Sequence, residues 1–293
     1  MSAISFDTLA AIEKSPGYWS GVARRFRRDP VAMIALFLVV GLVLMAVFAP
    51  WIAPADPYRS SMLRRLRPIG TPGYPLGADE LGRDMLSRLI YGARLSLLMG
   101  VTPVFIAFFV GSAIGITAGY VGGKINSALM RTIDIFYAFP SVLLAIALSG
   151  ALGAGIFNGL LSLTIVFIPP IARIAESVTT SVRKIEYVEA ARASGASGFT
   201  IVRVHVLGNV VGPIFVYATG LISVSLILAS GLSFLGLGVK PPEPEWGLML
   251  NTLRNAIYVQ PWVAALPGLM IFITSVSFNL LSDGLRSAMD IKA

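Results

Sequence analysis

The sequence predicts an all-α, polytopic membrane protein with six transmembrane helices. Three observations carry that reading. Only 13% of the 293 residues are charged, against 56% hydrophobic, whereas a soluble domain is usually about 25% charged. The charges are also absent from five intervals, 30–55, 95–123, 135–172, 204–239 and 255–282. The shortest holds 26 residues, and about 20 apolar helical residues cross a hydrocarbon core. Finally, the chain has no cysteine and one histidine, His205. That excludes disulfides, thiolate metal sites, cysteine catalysis and any multi-histidine metal centre.

Residues 1–30 read as a cytoplasmic N-terminal segment whose Arg24, Arg25, Arg27 and Arg28 lead into the first span, 31–53. This apolar run is too long for a signal-peptide core, so it is a retained anchor. Segment 54–94 is extracytoplasmic. Within it, 74–94 predicts an amphipathic helix near the membrane face, with Asp79, Glu80 and Asp84 balancing Arg83 and Arg88. A docking site for another protein and a solvated charged face are equal readings of it.

A transmembrane core follows over 95–285. Its first span, about 95–119, carries Gly111, Gly115 and Gly119 four apart, a ridge that lets helix backbones approach closely. Packing within the chain is the plain reading, and an interface with a partner subunit is the alternative. The interval 135–172 divides at the glycine cluster 150–155, giving spans at about 127–149 and 156–175. Asp134, one turn after Arg131, predicts an i,i+3 pair. The 36 residues of 204–239 would reach about 54 Å as one helix. We therefore expect one span, 209–232, plus a re-entrant or interfacial piece ending at Gly236-Leu237-Gly238. The proline-rich run from Pro241 to Trp246 reads as a stiff scaffold for an outer gate. The last span is 263–283, with Asp283 and Asp290 flanking Arg286, and 286–293 is a cytoplasmic tail.

The net charge of +8 sits between spans rather than along one stripe, so it marks topology and interface rather than nucleic-acid binding. With the N-terminus inside, fourteen basic residues fall in inner segments and nine in outer ones, which places both termini in the cytoplasm. No zinc-protease, serine-hydrolase or P-loop signature occurs. No catalytic, cofactor-binding or metal residue is therefore assigned, and the chain is not expected to be an enzyme.

The informative polar piece is the loop 176–208, expected on the cytoplasmic side. Good helix formers at 185–194 predict a short helix in which Glu189 and Arg192 pair at i,i+3, with Gly195 and Gly198 ending it. Small residues suit a helix lying in another protein's groove. A surface helix at the membrane interface is an equal reading of the residues alone.

The run Tyr187-Val188-Glu189-Ala190-Ala191-Arg192-Ala193-Ser194-Gly195-Ala196 resembles the EAA loop of ABC-importer permeases, Glu-Ala-Ala followed three residues later by Gly. Nine residues on, His205-Val206-Leu207-Gly208 stands where the family carries an Ile-x-Leu-Pro element. Gly208 in place of Pro is a departure that bears on the local bend. The stretches 76–97, 118–148, 232–250 and 278–290 also resemble family segments in the same order. Together they are similar to the permeases for dipeptides, oligopeptides and nickel, of the DppC or OppC type.

The resemblance implies a type I ABC importer permease in a bacterial inner membrane, forming half of a pathway for di- or oligopeptides. A DppB-like second permease would form the other half. Two cytoplasmic ATPases of the DppD and DppF kind would bind ATP and magnesium, and an extracytoplasmic binding protein would deliver solute. Tyr187, Glu189, Ala190, Ala191, Arg192 and Gly195 would form the coupling helix that sits on an ATPase. The reading left open beside it is a secondary transporter working without ATPases. Such a protein needs ion-coupling carboxylates at mid-membrane, and only Asp134, near a span end, offers one.

Overall fold

The computed structural model describes residues 17–289, and among these the chain is helical with no β-strand. An amphipathic helix, α1 (Tyr18–Arg28), turns through Asp29 into α2 (Pro30–Val47). The Asp29 carboxylate accepts from the N–H groups of Val31 and Ala32, and Pro30 supplies the first helical residue, an N-terminus that leaves few donors unsatisfied. α2 is apolar all round. It buries the narrow strip Ala32, Ala35, Val39, Leu42 and Ala46 and leaves the rest of its surface to lipid.

The centre of the bundle is a pair of long helices, α3 (Met85–Val121) and α6 (Ile156–Val182). Gly111, Gly115 and Gly119 of α3 lie directly on α6. A Cβ added at Gly115 would sit 2.3 Å from the Ala172 carbonyl oxygen, and one at Gly119 would sit 2.7 Å from that of Glu176. Only a residue without a side chain permits that approach. Around this pair lie α8 (Gly198–Phe234) and α10 (Pro261–Met289), with α2 closing the far side.

Three expectations are corrected. The third span is not one straight helix. It is α4 (Gly123–Tyr137) and α5 (Ser141–Leu152), bent by 84°. Pro140 has no N–H and disfavours helical geometry at Phe139, so the helix stops there. The interval 204–239 holds no re-entrant piece. α8 is one continuous helix through a π turn at Val202–Val206, and its extra length projects toward the loop at 183–197. The short non-crossing helix lies later, as α9 (Trp246–Thr252). Residues 74–84 are not helical either. They form tight turns, and helix begins only at Met85, where Asp84 caps α3 through Ser87.

Among the described residues, five helices are long and apolar enough to cross a membrane, and the bent pair α4–α5 makes a sixth. Residue 290, expected beside Arg286, lies outside the described residues.

Candidate functional site

One end of the bundle carries the short helix α7 (Glu186–Ala193) between α6 and α8. The chain turns sharply to reach it, with Ile185 N–H donating to the Val182 carbonyl at 3.1 Å. Val188 is fully buried, in the same apolar cluster as Val182, Ile201 and Val206, and helps seat α7 on the ends of its neighbours. Ala191 packs half-buried on the same side. Tyr187, Glu189, Ala190 and Arg192 face outward. The Tyr187 hydroxyl accepts from Asn209 Nδ2 at 3.0 Å, and the same amide donates to the His205 carbonyl at 2.8 Å. That fixes the tyrosine ring against the π turn.

Glu189 and Arg192 form no ion pair, contrary to the expected i,i+3 bridge; the ion pairs among the described residues lie elsewhere. On a solvated helix such a pair gains at most a few tenths of a kcal/mol, too little to hold two long side chains together. Both charges therefore face outward uncompensated. Gly195 ends α7 at φ +81°, with Ala196 N–H donating back to the Ala191 carbonyl at 3.2 Å. That left-handed residue suits glycine. Gly198 does not end this helix. It opens α8, capped by Ser197, and a Cβ there would meet the Tyr120 hydroxyl at 3.3 Å. Beside the charges stands apolar surface, with Phe199 77% exposed.

Beneath α7 the helix ends are tied together. Arg183 Nη1 donates to the carbonyls of Tyr120 (3.0 Å) and Gly119 (3.3 Å), satisfying acceptors that the end of α3 leaves open. Glu176 Oε1 accepts from Asn126 Nδ2 at 2.7 Å and Thr180 Oγ1 at 3.1 Å. Asn126 also donates to the Ala118 carbonyl. Together with the glycine ridge, these bonds tie α3, α4 and α6 to one another at this end of the bundle.

The opposite end is a buried polar knot. Asp79, Arg83 and Arg88 are each at most 5% exposed, correcting the expected solvated face. Asp79 Oδ2 pairs with Arg83 Nε at 2.6 Å and Arg88 Nε at 3.3 Å, while Oδ1 accepts two backbone N–H groups. Arg88 reaches the carbonyls of Pro57 (3.0 Å) and Pro242 (3.4 Å). One guanidinium thus joins three segments distant in sequence. Glu245 is buried too. Its two oxygens accept from Gly247 and Leu248 N–H at 2.8 Å each, capping α9. Burial pushes its carboxyl above the usual range, against the pull of those bonds. Trp246 then fills the space over Gly92 and donates to the Leu89 carbonyl at 3.0 Å. Tyr58 donates to Glu243 Oε2 at 2.8 Å. Its hydroxyl is pushed up to about 12, first by desolvation and then by that carboxylate.

Asp134 takes a different partner from the one expected. It pairs across helices with Arg173 of α6 rather than with Arg131, and both side chains remain about half exposed.

Known proteins resemble this chain in sequence and in fold. Residues 111–292 match the model of the binding-protein-dependent transport system inner membrane component, and residues 17–68 match the N-terminal transmembrane domain of oligopeptide transport permease C. The glutathione transport system permease protein GsiD of Escherichia coli O6:K15:H31 is 43% identical over 274 residues, 94% of this chain and 90% of that protein. This chain belongs to that family of inner membrane transport components. The GsiD of Pectobacterium atrosepticum is 40% identical over 94% of this chain and 91% of its own length. Two inward-facing forms of the MetNI methionine ABC transporter share the fold, with TM-scores of 0.55 and 0.53, 21% and 20% identity, and 70% and 69% of this chain covered, each over 97% of its own length.

The chain is thus a multi-pass permease subunit of an ABC importer, and the secondary-transporter reading falls. Such a permease implies a second permease, ATPase subunits and a substrate-binding protein. Several residues that build the site were not singled out by sequence. Arg183, Glu176 and Arg173 look like ordinary span-end charges until their partners are seen. Glu245 had a readable signal, an acid directly before a short helix, but it was read only as part of a stiff turn. Arg88 had none.

Proposed function

We propose that this chain is the pathway-forming and coupling permease of a peptide importer, working on glutathione-like and other short peptides. α7 is the element that docks in a cleft on a cytoplasmic ATPase. What supports this is the seating of α7. Val188 is its one fully buried side chain, while Tyr187, Glu189, Ala190 and Arg192 are presented outward and Gly195 ends it cleanly. Nucleotide-driven closure of the ATPases then tilts α6 and α3 through the bonds of Arg183 and Glu176, a rigid-body switch.

In this reading both termini are cytoplasmic. The partners are a DppB-like permease, two ATPases of the DppD and DppF kind, and an extracytoplasmic binding protein. ATP and magnesium are held by the ATPases, and this chain performs no catalysis. The peptide class is supported by the relatives named for glutathione and by the oligopeptide-permease match. The knot around Arg88 holds the outer end rigid for the binding protein.

The test is affinity purification of the tagged chain from its own membrane in mild detergent, with mass spectrometry of the recovered proteins. A second six-span permease together with one or two ATPases is the expected result. A chain recovered alone, folded and stable, contradicts the reading.

A further inference from the structure

We infer that the end of the bundle opposite α7 holds a phospholipid with a primary-amine headgroup, seated between Arg94 and Glu243 with an acyl chain in the groove between α3 and α8. The inference goes beyond the transport reading and needs only that the chain spans a membrane.

The headgroup pocket, of about 350 Å3, is walled by Tyr58, Tyr91, Arg94 and Glu243, with Leu95 and Leu98 further along α3. Its polar groups are unspent. Arg94 is exposed and makes no hydrogen bond or ion pair among the described residues, and the Tyr91 hydroxyl makes none either. Glu243 accepts from Tyr58 through Oε2, which leaves Oε1 without a partner among the described residues. Two donors on α3 thus stand in one pocket with an open carboxylate oxygen. A guanidinium and a phenol suit a phosphate, and a carboxylate suits an ammonium. Phosphoethanolamine carries both charges in one headgroup. A purely anionic headgroup would be repelled by Glu243.

The pocket stands at the height of a membrane interface. Ala55 N–H donates to Ser87 Oγ at 3.0 Å, and residues 49–52 pack on α3. The two segments run in opposite directions, so Trp51, four residues before Ala55, is level with Tyr91, four residues after Ser87. Trp51 is 76% exposed, and tryptophan and tyrosine at one level mark the boundary between headgroups and hydrocarbon. Beyond it this side of α3 turns apolar. Residues 91, 98 and 105, and 94, 101 and 108, recur every seven positions and so share one side of the helix. Along that side Val101, Phe105 and Phe108 form with Phe215 of α8 a groove of about 220 Å3, where Phe108 and Phe215 meet edge to face at 6.2 Å. Phe109, at the far end of the groove, lies 15 residues from Arg94, about 22 Å along the axis. One leaflet with its headgroups is about 20–22 Å thick. Pocket and groove together therefore fit one lipid from headgroup to chain end, whereas a soluble zwitterion would use the pocket alone.

The test is native mass spectrometry of the complete importer, delipidated in mild detergent. It is titrated with dioleoyl phosphatidylethanolamine, phosphatidylcholine and phosphatidylglycerol, and with chain-free glycerophosphoethanolamine. Phosphatidylcholine has no N–H for Glu243, and phosphatidylglycerol has no cation. Wild type should therefore hold phosphatidylethanolamine about tenfold more tightly than either, the size of one charge-assisted hydrogen bond. Arg94→Gln and Glu243→Gln should each remove that preference at an unchanged melting temperature. Arg254→Gln, at an exposed arginine of the same end, should keep it. Tighter binding of phosphatidylglycerol shows a plain basic contact, and a preference that survives both substitutions puts the lipid elsewhere. A chain-free headgroup held as tightly as the lipid shows a solute pocket. Each of these overturns the inference. So does a complete importer with no lipid preference at all, because the second permease then covers this face.

Discussion

Arg88 shows how much one side chain carries when it is buried with its charge. It lies against Asp79 and reaches backbone carbonyls in two other segments. Replacing it by Ala leaves the Asp79 carboxylate buried with less compensation, and breaking a buried pair costs about 3–5 kcal/mol. We expect Arg88→Ala to lower the melting temperature strongly in detergent, while Arg64→Ala, on the exposed surface nearby, changes it little.

Glu245 makes a pH prediction. Its folded pKa is raised above the ordinary 4.5 by burial, so the folded state binds the proton more tightly than the unfolded chain. The stability this contributes is complete below the unfolded value and is lost as pH rises through the raised folded value. Thermal melting followed from acid to neutral pH should show that decline in the wild type and a flatter profile in Glu245→Gln. A matching slope in both proteins would contradict the assignment. Tyr58, with its hydroxyl raised to about 12, behaves alike at the alkaline end. Its contribution holds below pH 10 and is lost between 10 and about 12, and Tyr58→Phe should remove that loss.

Among the elements, the contact between α3 and α6 is the most extensive, and its glycines allow it. Gly115→Val pushes a branched side chain into the Ala172 carbonyl and the Ala175 methyl. Overpacking of this kind costs about 1–3 kcal/mol, and it should separate the helices and abolish transport. Gly41→Val, at a position with open space around it, is the matched control. For α7 the relevant change is Val188→Asp, which places a charge in its buried seat and should release the helix. ATP turnover by the complex would then lose its response to solute, while the spans stay folded.

The helices that cross the bundle were legible because charge-free runs of this length have few other uses. The 84° bend at Phe139 was not. Pro140 announces a break but not its angle, which depends on how α5 lies against α6. The turns at residues 74–84 were misread because alternating acids and bases look like a solvated helix face. Only three-dimensional closure shows that Asp79 is buried as an ion pair with both Arg83 and Arg88. The outward residues of α7 could be named from their motif, but the seating by Val188 and the tie through Arg183 needed coordinates.

At the scale of the whole molecule, one end presents a small charged helix and the other is locked by buried polar bonds. Between them runs a glycine-packed helix pair. The central claim is that α7 meets an ATPase. The absence of cysteine makes this directly measurable, because any thiol introduced is the only one in this chain. Ala190→Cys on the exposed face of α7, in the complete importer in native membranes, should cross-link to an ATPase subunit with a short bifunctional reagent. The yield should change when ATP is added, while Ser61→Cys at the opposite end gives no such product. Cross-links from residue 190 that contain no ATPase, or none at all in a complex that still transports, would contradict the account.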